Sequence, residues 1–172
     1  MTHILGRALA AALIWVAVSV GGGGGAGAVE ARGPVTDLPL PRFVSLKASE
    51  ANARRGPGTA HRIDWVYRLR DMPLRVTAEY EHWRRVEDAE GKGGWMHYAL
   101  LSGVRTALVT TDLTALHAQP SESATSLAYL EAGVVARLLQ CVPDWCRLQA
   151  GGSRGWAPKA ALWGVGADEI ID

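Results

Sequence analysis

The sequence predicts an all-β protein: two small barrels in tandem, placed behind a signal peptide. Three observations carry this expectation. Proline, tryptophan and leucine anchors recur at a spacing of 61–63 residues, so the chain holds an internal repeat. Within each repeat apolar residues alternate with polar ones, the period of half-buried strands. No segment sustains a 3.6-residue pattern for three turns, so long helices are not expected.

Residues 1–28 come first. Arg7 precedes an apolar stretch over residues 8–20, followed by five glycines at 21–25 and then Ala26-Gly27-Ala28. Basic, apolar and small residues in that order make a secretory signal peptide. Glycine ends the apolar helix and leaves extended backbone for a peptidase, so cleavage is expected after Ala28, with Ala31 as the alternative. No Cys follows the apolar stretch, which disfavours a lipid anchor there. Residues 29–43 contain Pro34, Pro39 and Pro41 without a periodic pattern and read as an extended leader that feeds the first strand. Leu38-Pro39-Leu40-Pro41-Arg42 has a second reading, as a preorganised segment lying in an aromatic groove of its own barrel.

The repeat defines two units, residues 44–101 and 107–162. Pro57 and Pro120, Trp83 and Trp145, Trp95 and Trp156, and Leu101 and Leu162 are its anchors. Local chemistry recurs around them: Trp83-Arg84-Arg85-Val86 matches Trp145-Cys146-Arg147-Leu148, and Gly94-Trp95-Met96 matches Gly155-Trp156-Ala157. In the first unit Leu74, Val76, Ala78 and Tyr80 alternate with Arg75, Thr77 and Glu79; in the second, Val134, Ala136 and Leu138 keep the same period. Turns are expected at Glu90-Gly91-Lys92-Gly93 and at Ala150-Gly151-Gly152-Ser153. Units this short, built of strands and turns, point to small curled barrels. Each core is marginal alone, so the two units are expected to pack together. Residues 163–172, with Asp168, Glu169 and Asp172, read as an acidic tail.

Cys141 and Cys146 flank Val142-Pro143-Asp144-Trp145. In an exported chain the pair reads as a disulfide across a hairpin whose tip carries Pro and Asp. A metal site would need more ligands than two thiols, and no His lies nearby in sequence. A catalytic Cys would be consumed by its neighbour in an oxidising compartment.

Composition excludes several classes. The 172 residues carry 18 Lys and Arg against 17 Asp and Glu. Removing the first 28 residues takes only Arg7 of these, leaving a formally neutral product and no electrostatic footprint for nucleic acid. At 48% hydrophobic the chain is not disordered, and no apolar run reaches the roughly 20 residues of a membrane span, so the processed chain is not expected to cross a membrane.

Residues 44–101 resemble the bacterial SH3-like (SH3b-type) domain. Glu50-Ala51-Asn52-Ala53-Arg54-Arg55-Gly56-Pro57-Gly58 matches that family's Asn-x-Arg-x-Gly-Pro loop; Trp83 with Val86, Gly94-Trp95-Met96 and the closing Leu100-Leu101 follow in order. The second unit keeps Trp145, Gly155-Trp156 and Leu162 but has Leu116-His117-Ala118-Gln119-Pro120 in place of the loop. The resemblance implies two tandem SH3-like barrels of five strands each and a binding module, of a kind often found beside cell-wall enzymes in bacteria.

Candidate ligand-binding residues are Asn52, Arg54, Arg55, Trp65, Tyr67 and Trp83. From Val44 to Arg70 basic residues outnumber acidic ones, and a basic loop beside aromatics can grip peptide carboxylates while the rings hold its backbone. Strand parity sets Trp83 opposite Val86 and Trp145 opposite Leu148, so both indoles face outward, to a groove or to the other unit. The same arginines also fit a solvated face with stems packed on apolar surface. Trp95 and Trp156 fit a cap on each core. Arg84 and Arg85 are expected to pair with Glu87, Asp88 and Glu90.

Catalysis finds little support. His61, His82, His97 and His117 occur singly, no Gly-x-Ser-x-Gly or His-Glu-x-x-His spacing is present, and the glycine run lacks the Lys that completes a phosphate loop. No cofactor and no metal are expected. The reading is a non-enzymatic binding module, periplasmic or secreted, that recognises peptidoglycan or its stem peptides. A periplasmic adaptor that grips an extended peptide of another envelope protein is the alternative. A small cell-wall hydrolase would need a nucleophile or metal ligands that the chain does not arrange.

Overall fold

Each half of the repeat closes its own antiparallel sheet, and the two sheets use one strand order. The computed structural model describes residues 31–172; the segment expected to be a signal peptide, with the cleavage site expected after Ala28, lies outside the described residues. The first unit contains β1 (Arg42–Leu46), β2 (Ala51–Arg54), β3 (Ile63–Tyr67), β4 (Pro73–Tyr80), β5 (Trp83–Glu87), β6 (Gly93–His97) and β7 (Leu101–Ser102), in the order β3-β2-β6-β5-β4-β1-β7. The second contains β8 (Thr106–Val109), β9 (Thr114–His117), β10 (Ser126–Leu130), β11 (Val135–Cys141), β12 (Trp145–Ala150), β13 (Ser153–Pro158) and β14 (Leu162–Trp163), in the order β10-β9-β13-β12-β11-β8-β14. Among the described residues helix is confined to two three-residue 3₁₀ turns, Tyr98–Leu100 and Lys159–Ala161, each just before the closing strand. The all-β, two-barrel expectation holds, with seven short strands per unit where the resemblance implied five.

Two separate cores follow from the alternation. Leu46, Leu74, Val76, Val86 and Met96 fill the first, and Val109, Leu116, Ala136, Leu148 and Ala157 the second. Met96 and Ala157, not the adjacent Trp95 and Trp156, face inward, so these indoles are half-buried outer residues and do not cap the cores. The repeated Gly-Trp pair has another cause. A Cβ on Gly94 would lie 2.5 Å from the carbonyl oxygen of Arg54, and one on Gly155 would lie 2.8 Å from Cβ of Leu116. Glycine lets β6 and β13 cross closely over β2 and β9.

The strict alternation expected through Tyr80 breaks at a β-bulge. The β4–β5 register shifts between Val76 and Ala78, which inserts one residue and reverses the parity beyond it. Glu79 therefore points inward and is 6% exposed, whereas Tyr80 is 53% exposed. The second unit has the same bulge, between Leu138 and Gln140, and it turns Cys141 inward. Glu79 sits opposite Arg84 across the first hairpin; Cys141 sits opposite Cys146 across the second. Equivalent inward pairs are thus an ion pair in one barrel and a disulfide in the other. The disulfide agrees with the sequence reading. The pairing of Arg84 does not: its Nε lies 3.4 Å from Oε1 of Glu79, its Nη1 donates to the carbonyls of Glu81 and Trp83, and Glu87 pairs with Arg75 instead.

The segments that flank the repeat dock at this end of the barrels. Residues 31–41 do not extend as a leader but fold into a small hairpin: Arg32 bridges Pro39, the Leu40 N–H donates to the carbonyl of Ala31 at 2.7 Å, and the Gly33 N–H to that of Leu38 at 2.8 Å. The physical reason is Glu79, a buried carboxylate that needs donors. The hairpin supplies the N–H groups of Val35 and Thr36, at 3.1 and 2.9 Å, and the Thr36 hydroxyl at 2.6 Å; Arg42 adds Nη2 at 2.7 Å. Burial pushes the Glu79 carboxyl up, but the bonds from Thr36, Arg42 and Val35 outweigh it and hold the pKa at about 2. The acidic tail is likewise no free tail. Ile171 exchanges backbone hydrogen bonds with Cys141, and Lys159 donates from Nζ to the carbonyls of Ala167 and Glu169.

The barrels meet through Phe43 and Trp163, whose rings pack edge to face at 5.2 Å, and through Thr106, whose hydroxyl donates to the carbonyl of Asp71 at 2.7 Å. Trp83 and Trp145 instead have their aromatic partners, His97 and His117, within their own barrels.

Candidate functional site

The strand order β2-β6-β5 brings distant residues to one outer face of the first barrel. Asn52 and Arg54 leave β2 on the side opposite buried Ala51 and Ala53; Trp83 opens β5 opposite buried Arg84; His97 ends β6 opposite buried Met96. Together with Glu50, Thr59 and Leu100 they line a groove of about 310 Å³. Trp83 and His97 form its aromatic wall, rings edge to face at 5.6 Å, and Tyr98 stacks on the outer side of His97 at 4.9 Å. The His97 Nδ1 accepts the Ala99 N–H at 3.3 Å, leaving Nε2 as the donor position of the neutral ring. His82 lies 5.9 Å from His97 and 5.8 Å from Tyr98, so two histidines that stand alone in the sequence share one aromatic cluster.

The Gly-Pro loop is held in place by its own arginine. Arg54 donates from Nη1 to the carbonyls of Thr59 at 2.9 Å and His61 at 2.7 Å, closing residues 55–62 over the rim of the groove. One guanidinium nitrogen therefore shapes the loop, and the side chain still lines the groove. Arg55 lies outside it and pairs with Asp64 at 3.3 Å. Arg62 binds the same carboxylate at 2.7 Å, and these bonds, with that from Arg62 the stronger, hold the Asp64 carboxyl below its usual range.

Of the six residues expected from the sequence, Asn52, Arg54 and Trp83 meet in the groove, while Arg55, Trp65 and Tyr67 do not line it. Tyr67 is a core residue, 2% exposed, whose hydroxyl donates to the Lys92 carbonyl at 2.7 Å; burial first, then the charges of Asp88 and Glu87, raise its pKa. Trp65 stands on edge strand β3, with the Lys92 ammonium 4.7 Å from its ring centroid. Both belong to a strand that turns its aromatic side toward Lys92. Sequence reasoning missed Glu50, Thr59, His97 and Leu100. His97 had a usable signal, because a hairpin turning at residues 90–93 sets residue 97 opposite Trp83, as the β5–β6 register does.

The second barrel repeats the geometry with different chemistry. His117 occupies the position of Arg54, each paired to the repeat's Gly-Trp tryptophan, and lies edge-on to Trp145 at 5.5 Å. Pro158 stands opposite Trp145 where His97 stands opposite Trp83. The hollow beside Trp145 measures about 550 Å³, and Val165 and Ala167 of the C-terminal segment form part of its wall. Among the described residues no three His, Cys, Asp or Glu side chains are grouped to hold a metal ion, and no helix is long and apolar enough to cross a membrane.

This pairing of two equivalent barrels has a counterpart among known families: the bacterial SH3 domain is matched twice, over residues 47–103 and 111–164. The chain belongs to the bacterial SH3 domain family. Its two SH3 domains correspond to the two sheets, and the Trp83 groove lies wholly within the first. No curated protein matches the sequence. Solved structures similar to it include NlpC2 from Trichomonas vaginalis, at 15% identity and a TM-score of 0.33 over 72% of this chain and 48% of that one. NlpC1 from the same organism has 15% identity and a TM-score of 0.34 over 76% and 48%. An NlpC/P60 family protein from Bacillus cereus has 15% identity and a TM-score of 0.31 over 70% and 55%. This tandem SH3 chain spans about half the length of each.

Proposed function

We propose that the chain is a non-catalytic binding module of the bacterial envelope whose first SH3 domain holds a stem peptide of peptidoglycan in the Trp83 groove. The observation that carries this reading is the groove itself. An aromatic wall of Trp83 and His97 faces Asn52, Arg54 and Glu50, so an extended peptide meets apolar surface on one side and donors and acceptors on the other. The second domain offers Pro158 and His117 at the equivalent places and lacks that polar row.

Export belongs to the same proposal. The disulfide suits an oxidising compartment, periplasmic or secreted. Removal of residues 1–28 leaves Ala31, whose carbonyl the leader hairpin uses, so the processed product begins at Val29. Mass spectrometry of envelope material checks this; a product that retains Met1 contradicts it.

The binding test is co-sedimentation of the processed protein with purified sacculi, paired with thermal melting of each variant. Trp83→Ala, with its melt close to wild type, is expected to lose most of the retained protein, and Trp145→Ala little. Retention unchanged by Trp83→Ala refutes the groove. No retention of the wild type, with capture of an envelope protein instead, favours the adaptor reading.

A further inference from the structure

A cavity larger than the Trp83 groove lies between the two barrels and shares no residue with it. It measures about 760 Å³, within the size range of small-molecule sites, which favour the junction of two domains. Its apolar walls are the Phe43 and Trp163 rings, packed edge to face at 5.2 Å, with Pro39 and Pro41 of the leader hairpin beside them. Its polar lining is dominated by guanidinium groups. Arg42, Arg75 and Arg105 line it, and each is paired to one carboxylate: Glu79, Glu87 and Glu169.

Those guanidinium groups are only partly used. Arg42 reaches Glu79 through Nη2, and Arg105 binds Glu169 through both terminal nitrogens and the Gly164 carbonyl at 2.8 Å. Three buried side-chain polar atoms among the described residues have no hydrogen-bond partner, and two of them, Arg42 Nη1 and Arg105 Nε, belong to side chains of this cleft. A buried cationic donor without an acceptor is costly, and two on side chains of one cleft point to an acceptor that enters from it, the guanidinium groups turning to meet it. Glu169 already displays the chemistry that such a fork takes, a planar carboxylate. Rings and prolines beside the arginines favour an acid with an apolar body over a fully hydrated inorganic anion.

We propose that the inter-barrel cleft is a second ligand site, one that takes the free C-terminal carboxylate of a short peptide with an apolar last residue. The carboxylate lies toward Arg42, Arg75 and Arg105, and the apolar side chain packs on Phe43 and Trp163. Arg75 contributes from the lip, where its Nε is bonded to Glu87 at 2.6 Å.

The test is an NMR titration of the processed protein, both barrels together, with acetyl-Ala-Ala-Ala, its C-terminal amide and inorganic phosphate as separate probes. The acid should shift the Phe43 and Trp163 signals saturably, the amide should bind at least tenfold more weakly, and phosphate should not saturate the same signals at the acid's working concentration. Arg75→Gln leaves the buried contacts untouched and should weaken the acid several-fold. Arg42→Lys keeps a cation for Glu79, deletes the unpartnered Nη1 and should weaken the acid as well, while retention on sacculi through the Trp83 groove stays unchanged. Equal binding of acid and amide, equal binding of phosphate, or no change at Phe43 and Trp163 overturns the assignment. So does wild-type affinity in both arginine variants.

Discussion

Replacing Glu79 by Gln removes one charge from the buried acidic side chain that the leader hairpin grips, and the structure sets the size of the effect. The Glu79 side chain has no exposed surface, and its carboxyl sits at about 2 against an ordinary 4.5. A folded pKa below the unfolded one stabilises the fold fully above the unfolded value and loses that contribution as pH falls through the folded value. The difference corresponds to about 3 kcal/mol, present at pH 7 and fading from roughly pH 4.5 down to about 2. Gln preserves the shape but leaves Arg84 and Arg42 uncompensated, a loss of about 3–5 kcal/mol for a buried pair. The expected result is a first-domain melting temperature lower by roughly 15 °C at pH 7. Urea unfolding followed by tryptophan emission should show the gap between wild type and Glu79→Gln shrinking to about 1 kcal/mol by pH 2.5. Glu87→Gln is the control, since its pair with Arg75 is partly exposed and should contribute under about 1 kcal/mol. A Glu79→Gln cost below about 1 kcal/mol at pH 7, or one that does not change with pH, refutes the reasoning.

Three further perturbations probe the frame around the sites. Cys141→Ser with Cys146→Ser opens a six-residue loop, closure of which contributes about 2 kcal/mol by chain entropy; denaturation with and without reductant should show that loss in the wild type only. Gly94→Ala drives a methyl to 2.5 Å from the Arg54 carbonyl oxygen and should cost the first domain upwards of about 2 kcal/mol, whereas Gly91→Ala, with φ +75° but open space around it, should cost about 1 kcal/mol in the same melts. Thr106→Val deletes the hydrogen bond to the Asp71 carbonyl at 2.7 Å and should destabilise by about 1–3 kcal/mol, with hydrogen exchange rising at the junction of the barrels.

The two-barrel architecture was legible because the repeat conserves what the fold cannot vary. Gly94 and Gly155 stand where strands cross too closely for a Cβ, and Trp83 and Trp145 open equivalent hairpins. The bulges were not legible. One inserted residue leaves no mark in the composition of β4, yet it turns Glu79 inward, and the fate of Arg84 and of the leader follows from that single reversal. A pair written as Glu79 and Arg84 in one half and as Cys141 and Cys146 in the other is recognisable as one position only when the register is known. The groove was half legible for a related reason. Motif and parity locate Asn52, Arg54 and Trp83, but Thr59 enters through the loop that Arg54 folds, and Leu100 through the 3₁₀ turn after β6. Trp65 and Tyr67 share the outward-looking chemistry of binding residues; their strand turns them to Lys92 and the core.

The most direct test of the peptide groove is a ¹H–¹⁵N titration of the processed protein with soluble muropeptides. The account predicts saturable shifts concentrated on the Trp83 indole N–H and on the amides of Thr59, His97 and Leu100, all lost in Trp83→Ala. Shifts centred on Trp145 and Pro158, or none in either domain, would contradict it.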